Sequence, residues 1–437
     1  MSKENLKKSI TLVQAISLVV GIIIGSGIFL KPGAVFSNAG SAKLGLLAWL
    51  IGGLVTLASA LTIAEIGAAI PRTGGLSVYL EELYGPIWGF LLGWVQSVIS
   101  YPATVAAQGI AFATFASWFV TMTNTQLKLC AIAVVVFLVL MNIISTKFGG
   151  IIQTLATIAK LIPIFAIIIF GVVKGTVGNV NIITATMEQG LGFGAAIVST
   201  LWAYDGWIGV TNIAGELKNP QKDLPRAIII GISAVIIVYV TFNFMLVNIL
   251  GLEGMATSTQ AAADSAIKLF GSAAGGFIIG GMMISVFGAL NGNVMAGSRV
   301  PFSLAQRGML PFAKTLSTPS KSGTPSTAIL VQFVLSILYI LTGSFNSLTD
   351  LIVFVLWIFF TMGVFSIFIL RKKFSDEQRP YKTPLYPFVP IIGVCGGIFI
   401  LANNLMTNYI NALIGVVITL IGLPVYYYSV KKNAKAE

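Results

Sequence analysis

The strongest constraint on the fold is a series of long apolar stretches that follow one another over almost the whole chain. Each stretch covers roughly 17–25 residues, the length at which a helix crosses the hydrocarbon core of a bilayer. Charged residues make up 9% of the sequence and hydrophobic residues 56%, whereas a soluble domain carries about 25% charged residues. The sequence therefore predicts an all-α integral membrane protein with about twelve transmembrane helices.

The predicted spans form a single transmembrane domain over residues 1–430, followed by a short cytoplasmic tail at 431–437. Charges and turn residues separate the spans, and their ends are approximate. The limits are 11–35, 44–70, 86–120, 127–144, 148–173, 191–217, 224–250, 273–305, 328–341, 348–370, 387–405 and 410–430.

Lysine and arginine residues predict the orientation of the spans, because cytoplasmic loops are enriched in both. If the N-terminus is cytoplasmic, an even number of spans returns the C-terminus to the same side. The inner face then holds 20 of the 26 lysines and arginines, and the outer face holds 5. We therefore predict a multi-pass protein of the cell (plasma) membrane with both termini in the cytoplasm.

Composition and motifs argue against several functional classes. The net charge is +12, but the basic residues lie between apolar spans rather than on one patch, so nucleic acid is not an expected partner. With no histidine and no nucleophile–base constellation, we expect no enzyme activity, no metal site and no cofactor. Cys130 and Cys395 lie in apolar runs and are expected to be free thiols.

Two spans contain residues that can interrupt a transmembrane helix. Residues 21–27 of the first span read Gly-Ile-Ile-Ile-Gly-Ser-Gly, a pattern that permits either a break or close helix packing through small residues. The sixth span contains Asp205 followed by Gly206. An acid at this depth costs about 2.5–3.5 kcal/mol to insert, so Asp205 should face a cavity, face a partner or cap a broken helix.

The positions of these two spans suggest an internal repeat. They are the first members of two predicted sets of five spans, at 11–173 and 191–370, which two additional helices follow at 387–430. Interrupted helices at corresponding places in two halves are typical of inverted repeats with a solute site between the breaks. Half-helix N-termini there present N–H groups and opposing ends present carbonyls, which suits the two charges of a zwitterion.

Lys160 is a cation in the middle of the fifth span, roughly 18 Å from either end. This is too deep for its ammonium to reach the membrane surface comfortably. We expect it to contact carbonyls or hydroxyls of other helices, in either a functional or a purely structural role.

The same residues carry a resemblance to a known family. Over nearly its whole length the chain resembles amino acid–polyamine–organocation (APC) transporters of the L-amino-acid transporter branch, and within it bacterial serine/threonine and alanine-serine-cysteine exchangers. Each motif is weak alone, but their order and spacing together are specific. They are Gly-Ile-Ile-Ile-Gly-Ser-Gly-Ile-Phe at 21–29, Pro-Arg-Thr-Gly-Gly-Leu at 71–76, Thr-Leu-Trp-Ala-Tyr-Asp-Gly-Trp at 200–207 with Glu216 and Asn-Pro at 219–220, and Asn-Gly-Asn at 291–293 with Ser-Arg at 298–299.

The resemblance implies the LeuT-type fold of five plus five inverted helices, with helices one and six unwound at mid-membrane. It also implies a substrate site at the two breaks. There the backbone N–H groups of Ser26 and Gly27, with the Ser26 hydroxyl, would bind a substrate carboxylate. The carbonyls of Ile23, Trp202 and Asp205 would hold the substrate ammonium, and the ring of Trp202 would cover the substrate from the outside.

The resemblance gives Lys160 a role as well. It maps to a lysine that is expected to bridge the unwound part of span one, near Gly25, to span eight, near Ser285. In sodium-coupled relatives of the fold a cation occupies this place. A fixed ammonium there implies transport that does not depend on sodium.

The resulting hypothesis is a sodium-independent exchanger, or antiporter, of small neutral L-amino acids such as Ala, Ser, Thr, Cys and Gly, working by alternating access. The bulk of Trp202 favours small side chains. A proton-coupled symporter is the alternative, in which Lys160 loses and regains a proton. A channel or a nutrient sensor fits less well. We expect the apolar spans to offer no continuous polar stripe, as a channel would need, and the tails at 1–9 and 431–437 are too short for the soluble extension of a sensor.

Two expectations concern partners and the inner face. Eukaryotic members of the branch carry an external-loop cysteine linked to a heavy chain, whereas the loop at 121–126 has none. We therefore expect no disulfide-linked heavy chain and a protein that works as a single subunit. Glu65 and Glu216 should lie near the inner ends of their spans, as an inner gate or as ion pairs with neighbours such as Arg72, rather than in contact with substrate.

Overall fold

The computed structural model describes residues 11–71, 74–144, 160–174, 186, 190–320 and 324–433. Arg72, the predicted fifth span before Lys160 and the last four residues of the tail lie outside this part, as do the side chains of 212–216 and 430–433. Within the described residues the regular elements are helices, and the one extended pairing is an isolated antiparallel bridge between Ser41 and Thr186.

Most helices coincide with the predicted spans to within a few residues, wherever those spans are described. The helices Pro220–Thr257 and Ala261–Gly297 extend further beyond the predicted limits 224–250 and 273–305, and each contains a glycine with non-helical backbone angles, Gly251 and Gly271. They are α1 (Leu12–Ile23), α2 (Gly27–Ala39), α3 (Ala42–Ala69), α4 (Gly75–Tyr84), α5 (Pro86–Val95), α6 (Tyr101–Ala116), α7 (Asn124–Ile144), α8 (Leu161–Lys174), α9 (Phe193–Tyr204), α10 (Pro220–Thr257), α11 (Ala261–Gly297), α12 (Arg299–Gln306), α13 (Ala313–Leu316), α14 (Ser326–Thr342), α15 (Phe345–Lys373), α16 (Phe388–Thr407) and α17 (Tyr409–Asn433). A π-helical turn at Gln96–Ser100 joins α5 to α6, and 3₁₀ segments lie at Trp207–Glu216 and Asp376–Gln378.

Length and hydropathy show a multi-pass membrane protein. Among the described residues, 8 helices are long and apolar enough to cross a bilayer, or 9 when the bent pair α1 and α2 is counted as one span. Three shorter apolar helices, α8, α9 and α14, lie between them. The total of twelve spans and their arrangement as an inverted repeat stay predictions.

Local sequence explains where two of the spans begin. The Thr11 hydroxyl accepts a hydrogen bond from the backbone N–H of Gln14, and the Gln14 side chain accepts one from the N–H of Thr11 at 2.9 Å. Ser41 likewise accepts from the N–H of Leu44 at 3.1 Å, at the start of α3. These caps satisfy N–H groups that have no acceptor inside the helix.

Burial separates a central group of helices from a peripheral one. In the continuous helix Pro86–Ala116, 78% of the most apolar 18 residues are buried, whereas the corresponding shares in α16 and α17 are 28% and 22%. α9 packs on α2 and α3, and α11 packs on α6. The broken helices therefore lie in the protein interior, while α16 and α17 present apolar side chains to the surroundings.

The C-terminal end of α3 is fixed by an ion-pair cluster around Glu65, whose carboxylate is fully buried. Arg371 donates to both carboxylate oxygens, at 3.0 and 2.8 Å, and Arg379 donates to one at 2.8 Å. The backbone N–H of Thr383 adds a bond of 2.7 Å. The partners that Glu65 finds in the structure thus come from the end of α15 and the loop after it, distant in sequence from the expected neighbour Arg72, which lies outside the described residues.

Candidate functional site

The first span is broken at residues 24–26. α1 ends at Ile23, Ile24 has extended backbone angles, and α2 begins at Gly27 with its axis bent by 51° from that of α1. Ser26 is the N-cap of α2, and its buried hydroxyl has no hydrogen-bond partner among the described residues. The N–H groups at the start of α2 have no acceptor inside the helix, so they form a positive end at the break.

The sixth span is broken at Asp205 and Gly206. α9 ends at Tyr204, Asp205 is extended, and Gly206 has φ of +97°, a value that favours glycine. The chain then continues as the 3₁₀ segment that starts at Trp207. Asp205 therefore follows the carbonyl end of α9 at the point where the helix is interrupted.

The two breaks lie against each other in opposite directions. A Cβ atom built on Gly27 would lie 2.5 Å from the Cα of Ala203, and one built on Gly206 would lie 2.5 Å from the Cγ2 of Ile22. Gly27, directly after the first break, thus contacts Ala203 before the second break. Gly206, in the second break, contacts Ile22 before the first break. This antiparallel crossing brings the N-terminal end of α2 and the carbonyl end of α9 to one place.

Tyr239 of α10 joins the two broken segments, although no motif in the surrounding sequence indicates this role. Its hydroxyl lies 3.0 Å from the carbonyl oxygen of Ile23 and 2.9 Å from that of Ala203. The ring is fully buried and packs edge-on against Trp49, with centroids 5.6 Å apart. A single phenol therefore fixes the distance between the carbonyl ends of α1 and α9.

Lys160 lies directly before α8 and contacts the first span. Its ammonium, which is buried, donates a hydrogen bond to the carbonyl of Gly21. This carbonyl is one helical turn before Gly25, the residue near which the contact was expected. No hydrogen bond joins Lys160 to Ser285, whose buried hydroxyl in α11 has no partner in the described part of the chain.

A cavity of about 510 Å³ opens at the crossing of the two breaks. It contains nearly every residue that the sequence analysis singled out, whereas Ser285 lies outside its lining. The predicted residues that line it are Ile23, Gly25, Ser26, Gly27, Lys160, Trp202 and Asp205. It also extends along α1 to Ser17 and Leu18, towards the N-terminal end of that helix.

A second cavity, of about 770 Å³, lies beyond Trp202. Trp202 lines the first cavity and Phe345 the second, and the two rings meet edge-on with centroids 6.3 Å apart. Lys31 is buried in the wall of the second cavity, where its ammonium lies 3.1 Å from the Asp350 carboxylate. The aromatic contact therefore stands between the two spaces.

A polar stripe along the third span also lines the first cavity. Gln96, Ser100, Thr104 and Gln108 follow one another at intervals of four residues, which contradicts the expectation that no span offers a continuous polar stripe. In an α-helix of 3.6 residues per turn, side chains spaced four residues apart do not stay on one face, because each step of four exceeds a full turn. The π-helical turn Gln96–Ser100 takes up an extra residue, which keeps the four on the cavity side. The spacing was readable from the sequence.

The site can hold a small molecule with two opposite charges. N–H groups and a hydroxyl meet a negative group at the start of α2, and carbonyls meet a positive group at the ends of α1 and α9. The volume lies in the range of small-molecule sites. Among the described residues no group of histidine, cysteine, aspartate and glutamate side chains could hold a metal ion.

Comparison with known proteins identifies the family. A family profile described as amino acid permease matches residues 10–428. The serine/threonine exchanger SteT of Bacillus subtilis (strain 168) is 46% identical over 99% of both chains. The human cystine/glutamate transporter is 32% identical over 97% of this chain and 86% of its own, and the human large neutral amino acids transporter small subunit 2 is 33% identical over 97% and 81%. The chain is a member of the amino acid permease family, within the APC superfamily, and a transporter rather than an enzyme.

Proposed function

We propose that this transporter is a sodium-independent exchanger of small neutral L-amino acids such as Ala, Ser, Thr, Cys and Gly, which works by alternating access. The observation that carries the proposal is the antiparallel crossing of the two breaks at a cavity of about 510 Å³. The relative from Bacillus subtilis is a serine/threonine exchanger, which supports the proposal.

In this proposal the substrate carboxylate binds the N–H groups of Ser26 and Gly27 and the unpartnered hydroxyl of Ser26. The carbonyls of Ile23, Trp202 and Asp205 receive the ammonium. These groups read only the charged ends that all amino acids share. The size limit comes from Trp202, which closes the cavity on the side of Phe345.

Sodium independence rests on the ammonium of Lys160. It donates to the carbonyl of Gly21 beside the first break, where it supplies a fixed positive charge among exposed carbonyls. In transporters with discontinuous helices, unwound carbonyls are the groups that coordinate sodium. A resident ammonium satisfies such carbonyls without an added cation.

The proposed architecture is five plus five inverted helices, at 11–173 and 191–370, with two further helices at 387–430 and both termini in the cytoplasm. With this orientation the cavity opens towards the cytoplasm along Ser17 and Leu18, while Trp202 and Phe345 close it on the outside. We also propose that the protein works as a single subunit, because Cys130 lies within α7 and Cys395 within α16, and both are free.

The test is uptake of radiolabelled serine into proteoliposomes, with and without internal serine, in sodium and in choline buffer. Exchange predicts uptake only into serine-loaded vesicles and equal rates in the two buffers. Equal uptake by empty and loaded vesicles would exclude obligatory exchange. Uphill uptake into empty vesicles that follows an inward pH gradient would show a proton-coupled symporter instead.

A further inference from the structure

The part of the cavity wall that α6 and α11 form carries two amide side chains in contact. Gln108 comes from α6 and Asn293 from α11, and both line the cavity. The Nδ2 of Asn293 donates to the Oε1 of Gln108 at 3.1 Å and to the backbone carbonyl of Ala289 at 2.9 Å. The Nε2 of Gln332, in α14, donates to the backbone carbonyl of Asn293 at 3.1 Å.

These contacts fix which way each amide points. The backbone oxygen of Ala289 can only accept, so the Asn293 atom beside it is the nitrogen. The same nitrogen faces Gln108, so Gln108 must present its oxygen to it. The two remaining atoms are a donor, Nε2 of Gln108, and an acceptor, Oδ1 of Asn293.

Both remaining atoms are available for a further hydrogen bond. No described residue forms a hydrogen bond with the Gln108 Nε2 or the Asn293 Oδ1. Neither atom is fully buried, and both residues line the cavity, so a ligand in the cavity can reach them. Gln108 is otherwise only 5% exposed. A polar group held this rigidly in a nearly enclosed site gains most from a ligand that completes its hydrogen bonds.

We propose that the Gln108–Asn293 pair determines side-chain specificity and selects amino acids with a side-chain hydroxyl. The inference rests on the proposed function, in which the substrate is a small amino acid. A hydroxyl accepts a hydrogen bond from the Gln108 Nε2 and donates one to the Asn293 Oδ1. Alanine offers neither, although its ammonium and carboxylate are the same, so the backbone groups at the breaks do not distinguish it from serine.

Competition between matched amino acids tests the proposal. Exchange of labelled alanine is measured in proteoliposomes, and unlabelled serine, threonine, alanine and valine are compared as competitors. Serine and alanine differ by a hydroxyl, and threonine and valine have nearly the same shape. In the wild type, serine should compete about tenfold better than alanine, and threonine about tenfold better than valine.

The variant Gln108→Met keeps the length of the side chain and removes its hydrogen bonds. It should abolish the preference for serine over alanine, because competition by serine should weaken about tenfold relative to competition by alanine. Gln108→Leu serves as a second variant if the first is poorly folded, as judged by gel filtration. The matched control is Gln96→Met, because Gln96 lies on the same stripe and lines the same cavity without an amide partner.

The outcomes separate this inference from the proposed function. A serine-to-alanine ratio that stays at the wild-type value in Gln108→Met would overturn the specificity role. An equal loss of competition by serine and by alanine in Gln108→Met would also overturn it. The same is true of a change in the serine-to-alanine ratio of equal size in Gln96→Met. Failure of the wild type to exchange any of the four amino acids would instead contradict the proposed function.

Discussion

The hydroxyl of Tyr239 lies 3.0 Å from the carbonyl oxygen of Ile23, the last helical residue before the first break. The same hydroxyl lies 2.9 Å from the carbonyl oxygen of Ala203, which precedes the second break. One side chain of α10 therefore holds the Ile23 carbonyl, which is proposed to receive the substrate ammonium, in a fixed position relative to the Ala203 carbonyl near the second break. A hydroxyl has one proton, so the two carbonyls share it, and the second lone pairs stay available to a ligand.

Tyr239→Phe should weaken serine exchange about tenfold, because one hydrogen bond contributes roughly 0.5–1.5 kcal/mol and here it orients the binding groups. The half-saturating serine concentration measures this. Tyr84→Phe is the control, since its hydroxyl also bonds a backbone carbonyl, that of Met362 at 2.9 Å, while Tyr84 ends α4 and does not line the cavity. If the two variants were impaired alike, the effect would be one of stability rather than of substrate binding.

Lys160→Ala should reduce serine exchange more than tenfold and should leave the remaining activity insensitive to sodium. The substitution removes the buried ammonium that bonds to the Gly21 carbonyl, so the carbonyls beside the break lose their cation. Lys174→Ala, at the exposed end of the same helix, should behave as wild type. Rates like those of wild type in Lys160→Ala would mean that the lysine only packs.

Gly27→Ala should destabilise the protein by about 1–3 kcal/mol, since the added methyl group would lie 2.5 Å from the Cα of Ala203 and the two breaks would have to move apart. Thermal unfolding in detergent measures the loss. Gly25→Ala is the matched control, because a Cβ there meets nothing closer than the carbonyl of Ile23 at 4.0 Å. Equal melting temperatures for the two variants would contradict the close crossing.

Most of the fold was predictable from the sequence, for a physical reason. A backbone in lipid must satisfy its own hydrogen bonds, so hydropathy and helix length together determine the spans. The predicted limits 44–70 and 387–405 correspond to Ala42–Ala69 and Phe388–Thr407. The break in the first span was ambiguous, because glycine also serves close packing. Gly27 begins the helix after the break and also packs closely against Ala203, so glycine serves both purposes here.

The positions of the two helix breaks at the candidate site were predictable from the sequence. The side-chain contacts around them were much less predictable. The breaks occur where the sequence itself contains helix-interrupting residues, at 21–27 and 205–206. Tyr239 acts on carbonyls far away in sequence, and an isolated tyrosine in an apolar span gives no sign of this. The stripe that includes Thr104 was visible as a four-residue spacing, but the π-turn that aligns it was not. The contact of Gln108 with Asn293 depends on the packing of two distant helices.

Glu65→Gln should lower stability by roughly 3–5 kcal/mol, because it removes a buried charge that pairs with Arg371 and Arg379. Arg371 would then lack a carboxylate partner among the described residues, and Arg379 would keep only Asp376. The measured quantity is the melting temperature in detergent. Glu81→Gln is the matched control, since Glu81 pairs with Arg307 at 2.7 Å on the partly exposed surface, where a pair contributes only about 0–1 kcal/mol. A melting temperature for Glu65→Gln as close to wild type as that of Glu81→Gln would show that the cluster does not hold α3 to α15.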